Sequence, residues 1–532
     1  MKNKMKTVMH GALILSLASL IAKVLSACYR IPFENLVGNT GFYVYQQVYP
    51  IYGIGMTFAL TGFPVFISKL IAEQESPGEK LQVSRQVFVI LTVFGGACWL
   101  FLRLFANQIA VLMGDPQLAS LLRSVAWMFI FMPILAVGRG YYQGIFDMKP
   151  TAISQVIEQF VRVFVIIFVA LLAVHRHWTI YRMGTWAMLG STFGALAASL
   201  NFVSFYTKTI WQFPHEKKQS YFSLTKRLFS DGLIICLFAA MMVLLQLVDS
   251  FTVNNSLIAS GVAPMVAKSI KGTYDRAQPL VQLGMVVAVS FSSTLLPALT
   301  DALQNGKLAN FRRIAKTLMR ISATIAGAAT CGMIILMPDI NSMLFGTSTL
   351  STTISVYVVS VLVITLISTY NSILQSLNQF KITAFGLILA VAVKALTNSF
   401  LIQHLGIIGA SVSTVLSLLV ALGIVLCALP STVKNLFFNG DGFVRKLIIS
   451  LVVMLIGVGC VTHGIGSLLP FTRKTAILIS ICGIIVGAGL FVLMILVQKM
   501  FTIREWLLIP GGKKLIKLMT KIKKRVNKIA IR

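Results

Sequence analysis

Apolar residues recur along the chain in long runs, separated by short segments rich in Lys, Arg, Gly and Pro. A run of roughly 18 to 25 residues crosses a hydrocarbon layer about 30 Å thick as an α-helix rising 1.5 Å per residue. The pattern places such runs near 9–28, 42–67, 87–106, 118–141, 151–174, 184–206, 229–252, 279–299, 317–337, 349–374, 384–402, 408–429, 447–466 and 475–497. It predicts an all-α polytopic membrane protein of about fourteen transmembrane helices. The expected organisation is an N-terminal six-helix lobe with a basic linker over 1–228 and a second six-helix lobe over 229–446. A further helix pair occupies 447–499 and a basic amphipathic tail 500–532.

Composition supports the membrane assignment. Of the 532 residues, 57% are hydrophobic and 11% are charged, whereas a soluble domain carries about 25% charged residues. The formal net charge is +31, from 46 Lys and Arg against 15 Asp and Glu, and its placement is asymmetric. With the N-terminus inside, cytoplasmic loops hold Lys69, Lys80, Arg85, Lys149, Arg312, Arg313 and many more, while Arg176, Arg182, Arg473 and Lys474 are the main cations outside. The positive-inside rule then puts both termini in the cytoplasm, and nucleic acid is not needed to explain the charge. In the tail, Leu515, Leu518, Met519, Ile522, Val526 and Ile529 alternate with cations, the pattern of a helix lying on anionic lipid headgroups.

Seven cysteines are scattered singly through apolar segments and read as small buried hydrophobes. Leu25-Ser26-Ala27-Cys28 imitates a lipoprotein signal, but Lys23 interrupts the apolar run before it, so the segment is kept as the first helix.

The chain also resembles itself. Gly41, Tyr43 and Gln47 recur as Gly272, Tyr274 and Gln278, displaced by 231; Pro64 recurs as Pro297, displaced by 233; and Gln143, Lys149, Thr151, Ala152 and Arg162 recur as Gln375, Lys381, Thr383, Ala384 and Lys394, displaced by 232. An even number of spans per repeat leaves both copies in one orientation, related by a pseudo-two-fold axis along the membrane normal.

A charged side chain at the bilayer centre costs about 2.5 to 3.5 kcal/mol on insertion scales, so each one needs a reason. Lys23 lies late in the first span and Arg30 follows two helical turns later, on the same face if the helix continues to a stop at Pro32. Arg276 opens the eighth span, and Arg162 and Lys394 occupy equivalent places in the fifth and eleventh. Snorkelling to headgroups is the alternative for Arg30 and Arg276. The acids are Glu34 beside Arg30, Glu158 one turn before Arg162, Asp249 in the seventh span and Asp275 beside Arg276. Glu158 and Arg162 read as a neutralising i,i+4 pair; Asp249 needs either Lys394 or a bound cation.

Because cations outnumber acids among these positions, the cargo should be anionic, with phosphate or pyrophosphate suiting guanidinium forks. Tyr43, Tyr45, Tyr49 and Tyr52 read as an interfacial belt or, alternatively, as a sugar-stacking surface. The chain contains no phosphate-cradling Gly-rich loop with a Lys and no metal-spaced His and Cys set; His175 and His177 stand alone in a loop. No cofactor is implied, and a transporter is expected rather than an enzyme.

Four stretches resemble a known family. They are Lys23-Val-Leu-Ser-Ala-Cys-Tyr-Arg30-Ile-Pro32-Phe, Gly41-Phe-Tyr-Val-Tyr-Gln-Gln-Val-Tyr-Pro50-Ile-Tyr, Gly62-Phe-Pro64 to Ala72-Glu73, and Lys271-Gly-Thr-Tyr-Asp275-Arg276-Ala-Gln-Pro. They are similar to the Gram-positive polysaccharide-biosynthesis transporters of the stage V sporulation protein B type. Those group with MurJ-type lipid II flippases in the multidrug/oligosaccharidyl-lipid/polysaccharide exporter superfamily. The resemblance implies a cell-membrane flippase carrying lipid II, an undecaprenyl-pyrophosphate-linked peptidoglycan precursor, to the outer leaflet by alternating access. It implies cavity-facing cations, approximately matched by Lys23, Arg30 and Arg276; the second span offers no arginine. Some relatives bind sodium through a seventh-span acid and later polar residues, for which Asp249 and Asn398 are the matches; Lys394 looks like a built-in replacement for the ion. Sodium, protons or the membrane potential would supply the energy. Another lipid-linked glycan, or a drug or cation antiport activity of the MATE kind, is the alternative, and a cell-wall synthase partner is left open.

Overall fold

The computed structural model describes residues 2–210, 220–285, 299–300, 302–303, 305–377, 379–434, 442–502 and 505. The expected amphipathic tail and most of the run 279–299 lie outside these residues. Among the described residues the regular structure is entirely helical, and eleven helices are long and apolar enough to cross a membrane. One of them, Ile14–Ala72, is a 59-residue stretch covering the first two expected spans.

The described residues form two compact units. The first comprises residues 1–286, 352–360 and 379–425, and the second 287–351, 361–378 and 426–532.

The first unit begins with α1 (Lys2–Cys28) and α2 (Arg30–Thr57), joined through Tyr29. Pro32 does not end the first span, as the sequence pattern suggested. It sits in the first turn of α2, where its missing N–H is not needed. The break comes at Gly38, whose φ of +72° and ψ of 175° are open to glycine and strained for other residues. Beyond Thr57 a π-helical segment, Phe58–Gly62, leads into α3 (Phe63–Ala72). Next, α4 (Pro77–Leu104) starts with a capping box, the Ser76 hydroxyl accepting from Glu79 N while the Glu79 carboxylate accepts from Ser76 N. The unit continues through α5 (Ala106–Leu112), α6 (Ala119–Ala126), α7 (Met128–Gly144), α8 (Met148–His175) and α9 (Ile180–Leu200). After the linker come α10 (Tyr221–Arg227), α11 (Leu233–Ala239), α12 (Met241–Ala259) and α13 (Pro264–Tyr274).

Helix α8 shows how the unit is built. Thr151, Ser154, Gln155, Glu158, Gln159 and Arg162 recur at three- and four-residue steps on its buried face. Phe160, Phe164, Phe168 and Leu171 stand on the opposite face, each more than half exposed. A soluble helix would be the reverse. Helix α9 lies on this polar side through Gly190 and Gly194: a Cβ at Gly194 would meet the Glu158 carbonyl oxygen at 2.6 Å. Small residues four apart let two membrane helices approach this closely, which brings the α8 polar face into the interior.

In the second unit α14 (Leu308–Ile335) and α15 (Met337–Phe345) precede α16 (Ser351–Ser376), whose residues 352–360 belong to the first unit. Helices α17 (Phe380–Leu405) and most of α18 (Ile408–Ala428) also belong to the first unit, and a single turn, α19 (Ser431–Lys434), follows. The chain then forms the packed pair α20 (Phe443–Leu468) and α21 (Arg473–Val497). Arg473 at the start of α21 donates to the carbonyls of Met343 (3.1 Å) and Leu344 (3.2 Å) near the end of α15, where a cation favourably meets the negative end of the helix dipole.

Candidate functional site

Among the described residues of the first unit, one buried group holds two cations with no carboxylate at ion-pair distance. In that group Arg30 lies 4.1 Å above the ring centre of Tyr49, and Arg162 lies over Tyr52 (4.7 Å) and Tyr29 (5.1 Å). The rings link the two cations: Tyr49 and Tyr52 are 5.4 Å apart, Tyr45 and Tyr49 6.3 Å, and the Tyr29 hydroxyl donates to that of Tyr45 at 3.1 Å. One Arg162 terminal nitrogen, Nη2, donates to Gln159 Oε1 (2.6 Å) and Ser26 Oγ (3.1 Å). Its Nε and Nη1, together with Arg30 Nε, are buried without a hydrogen-bond partner among the described residues. Ring faces hold a desolvated guanidinium with about 2 kcal/mol each, without neutralising its charge. The group therefore keeps two positive charges and spare N–H donors in a low-dielectric interior.

Three further groups are neutralised internally. Arg139, between two glycines of α7, donates from Nη2 to Glu158 Oε2 at 2.6 Å, from Nε to Ser154 Oγ at 2.8 Å and from Nη1 to the Ala59 carbonyl at 3.0 Å. That last contact joins the pair to the π-helical segment. Near the Gly38 break, Arg276 Nε meets Glu34 Oε1 at 2.5 Å and Arg276 Nη2 donates to Asn39 Oδ1 at 2.8 Å, while Lys271 meets Asp275 Oδ1 at 2.5 Å one turn earlier. Finally, Lys394 Nζ on α17 lies 2.8 Å from Asp249 Oδ1 on α12 and donates to Thr414 Oγ1 of α18 at 2.6 Å. The Ala410 carbonyl (3.4 Å) and Asn398 Oδ1 (3.5 Å) complete a shell of oxygens around the ammonium. Asn398 Nδ2 donates to Asp249 Oδ1 at 3.0 Å, and the Tyr274 hydroxyl to Asp249 Oδ2 at 3.3 Å.

A family model for polysaccharide biosynthesis proteins matches residues 8–303. The uncharacterised membrane protein YabM of Bacillus subtilis is 34% identical over 517 residues, 96% of each chain. The chain belongs to the polysaccharide biosynthesis protein family. The lipid II flippase MurJ of Bacillus subtilis is 25% identical over 443 residues, covering 78% of this chain and 81% of MurJ. In fold, the polysaccharide biosynthesis protein superimposes on a solved MurJ structure in its inward closed conformation with a TM-score of 0.68, covering 91% of this chain and 98% of that one at 14% identity. It is accordingly a multi-pass membrane protein of that family with a MurJ-like fold.

Several sequence readings change against this geometry. Glu158 does not pair with Arg162, although their spacing suits an ion pair. It turns to Arg139, which offers three directed contacts, and Arg162 is left to the tyrosines. Tyr43, Tyr45, Tyr49 and Tyr52 are not an interfacial belt: all four are buried. Arg30 is buried, whereas the Lys23 side chain is solvent-accessible. Arg276 is held against Glu34. Two buried cations that enter ion pairs were not assigned from the sequence. Arg139 was legible as a lone cation inside an apolar run, and Lys271 stands at i,i+4 spacing from Asp275. Among the described residues no three His, Cys, Asp or Glu side chains come together as a metal site.

Proposed function

We propose that the protein carries a lipid-linked glycan pyrophosphate, in the first place lipid II, from the inner to the outer leaflet of the cell membrane by alternating access. The observation that carries this reading is the acid-free pair Arg30 and Arg162, two buried cations with spare donors among tyrosine rings. Guanidinium forks match phosphate oxygens, and rings beside them suit a sugar face. A cargo of organic cations would meet repulsion there. Because both guanidiniums are buried in this conformation, the cargo reaches them only when the helices part, as alternating access requires.

In this reading residues 1–228 and 229–446 act as rocking six-helix lobes, 447–499 as an added pair, and the basic tail rests on anionic lipid with both termini in the cytoplasm. Lys23 guides the pyrophosphate inward, Arg276 with Glu34 and Asp275 shapes the mouth beside Gly38, and Glu158 holds Arg139. Asp249, Lys394 and Asn398 form the coupling group. An inside-negative potential favours outward movement of anionic cargo by about 2.3 kcal/mol per charge per 100 mV.

A leaflet-resolved assay of labelled lipid II in cells depleted of their own flippase tests the proposal. Wild-type protein should restore outward movement, and Arg30→Ala and Arg162→Ala should each abolish it at normal membrane abundance. Full activity of both variants would refute the arginine assignment; accumulation of a different lipid-linked glycan on depletion, with lipid II movement normal, would replace the cargo.

A further inference from the structure

The connection after α5 is gripped in a way the transport site does not require. Three consecutive backbone carbonyls each accept from a side-chain amide: Leu112 from Asn255 at 2.9 Å, Met113 from Gln47 at 3.3 Å and Gly114 from Asn254 at 3.3 Å. The same Gln47 amide also donates to the Ser250 carbonyl on α12 at 2.7 Å, so one side chain clasps both strands of the contact. The next residue, Asp115, takes Lys268 Nζ of α13 and the Tyr181 hydroxyl on one carboxylate oxygen, each at 2.8 Å, while Lys268 donates to that hydroxyl at 2.8 Å. Its other oxygen accepts from Gln117 N, at the start of the following turn.

We infer that residues 112–115, held by Gln47, Asn254, Asn255 and Lys268, form a polar latch that shuts one mouth of the transporter and must release in every cycle. The chemistry suits reversible closure. The grip is made by amides on carbonyls and by one ion pair whose Lys268 is partly exposed, groups that exchange their partners for water when separated, unlike an apolar seam. It joins a connection from the first sequence repeat to helices of the second, the two parts that alternating access must move against each other. It also depends on a residue without a side chain. Gly114 has φ +77°, and a Cβ there would lie 2.0 Å from Asn255 Oδ1 and 3.0 Å from Asn254 Nδ2, so any larger residue pries the amides from the carbonyls.

The inference rests on the alternating-access reading, yet it can be tested without cargo. Failure of the latch leaves the cargo assay untouched, and failure of the cargo assay leaves the latch untouched. Ser250, buried behind Gln47, is replaced by Cys as a reporter. Its alkylation by a maleimide is timed in purified full-length protein in nanodiscs, the modified peptide being read by mass spectrometry so that native cysteines do not contribute. Gly114→Ala should speed labelling at position 250 by about tenfold, the effect of a 1.4 kcal/mol change in the opening equilibrium. Lys268→Met, which leaves the backbone alone, should act in the same direction. Gly261→Ala is the control, because Gly261 has φ +89° but nothing within 4 Å of the new Cβ. Parent-like rates in both Gly114→Ala and Lys268→Met would overturn the latch, as would an equal acceleration in Gly261→Ala, which would assign the effect to backbone strain.

Discussion

Gln46 donates a hydrogen bond to Gln278 at 3.4 Å, and 232 positions separate them. The same displacement relates Gln143 to Gln375 and Arg162 to Lys394 in the sequence. In this stretch the repeat displacement is 231, which pairs Gln47 with Gln278, so the contact lies one residue off the repeat and joins α2 to the segment that follows α13. Around it α2 and α13 pack with almost no gap: a Cβ on Gly272 would meet the Asn39 carbonyl oxygen at 2.0 Å.

A buried amide left without its partner costs about 1 to 3 kcal/mol, whereas removing both partners can be nearly neutral. Gln46→Leu should therefore lower the thermal unfolding temperature in detergent, and adding Gln278→Leu should recover part of the loss. Strictly additive effects in this double-mutant cycle would show that the two amides do not interact.

Arg139 makes three directed contacts from one planar fork, which an ammonium cannot reproduce. Arg139→Leu should destabilise the protein by about 3 to 5 kcal/mol, since it strands the Glu158 carboxylate in the interior. Arg139→Lys should recover only part of that. Denaturant unfolding of the two variants makes the comparison, and equal stability of Arg139→Lys and wild type would contradict it.

The Lys394 ammonium already fills the oxygen shell around Asp249. Replacing sodium chloride with choline chloride should accordingly leave wild-type thermal stability unchanged. Lys394→Ala should unfold at a lower temperature, regain part of the loss in sodium, and regain it in either salt when combined with Asp249→Asn. A wild-type response to sodium would mean that the ion binds without displacing the lysine.

Gly194 sets the approach of α9 to α8. Gly194→Val should force the helices apart and cost about 1 to 3 kcal/mol, the usual penalty of overpacking. Because Arg162 is on the opposed turn, its tyrosine contacts should loosen as well, and cargo movement should fall more than abundance does. Retained transport at full abundance would show that the spacing is not critical.

The membrane class, the helical fold and the ionisable residues buried in the spans were legible in the sequence because each rests on a local quantity: run length, hydropathy, and the cost of a charge inside an apolar run. Even the inside-out face of α8 follows from one helical period. Pairing was not legible. Glu158 lies one turn from Arg162 and yet joins Arg139 on another helix, and the tyrosines near the start of the second span fold inward around two arginines. Spacing along a helix says only which residues share a face. What that face meets is settled by helices distant in sequence, and in a low-dielectric interior each charge takes the partner whose geometry satisfies the most donors. The sequence by itself determined which charges are present in the spans; the tertiary structure alone decided which were neutralised by a carboxylate and which two were set against tyrosine rings instead.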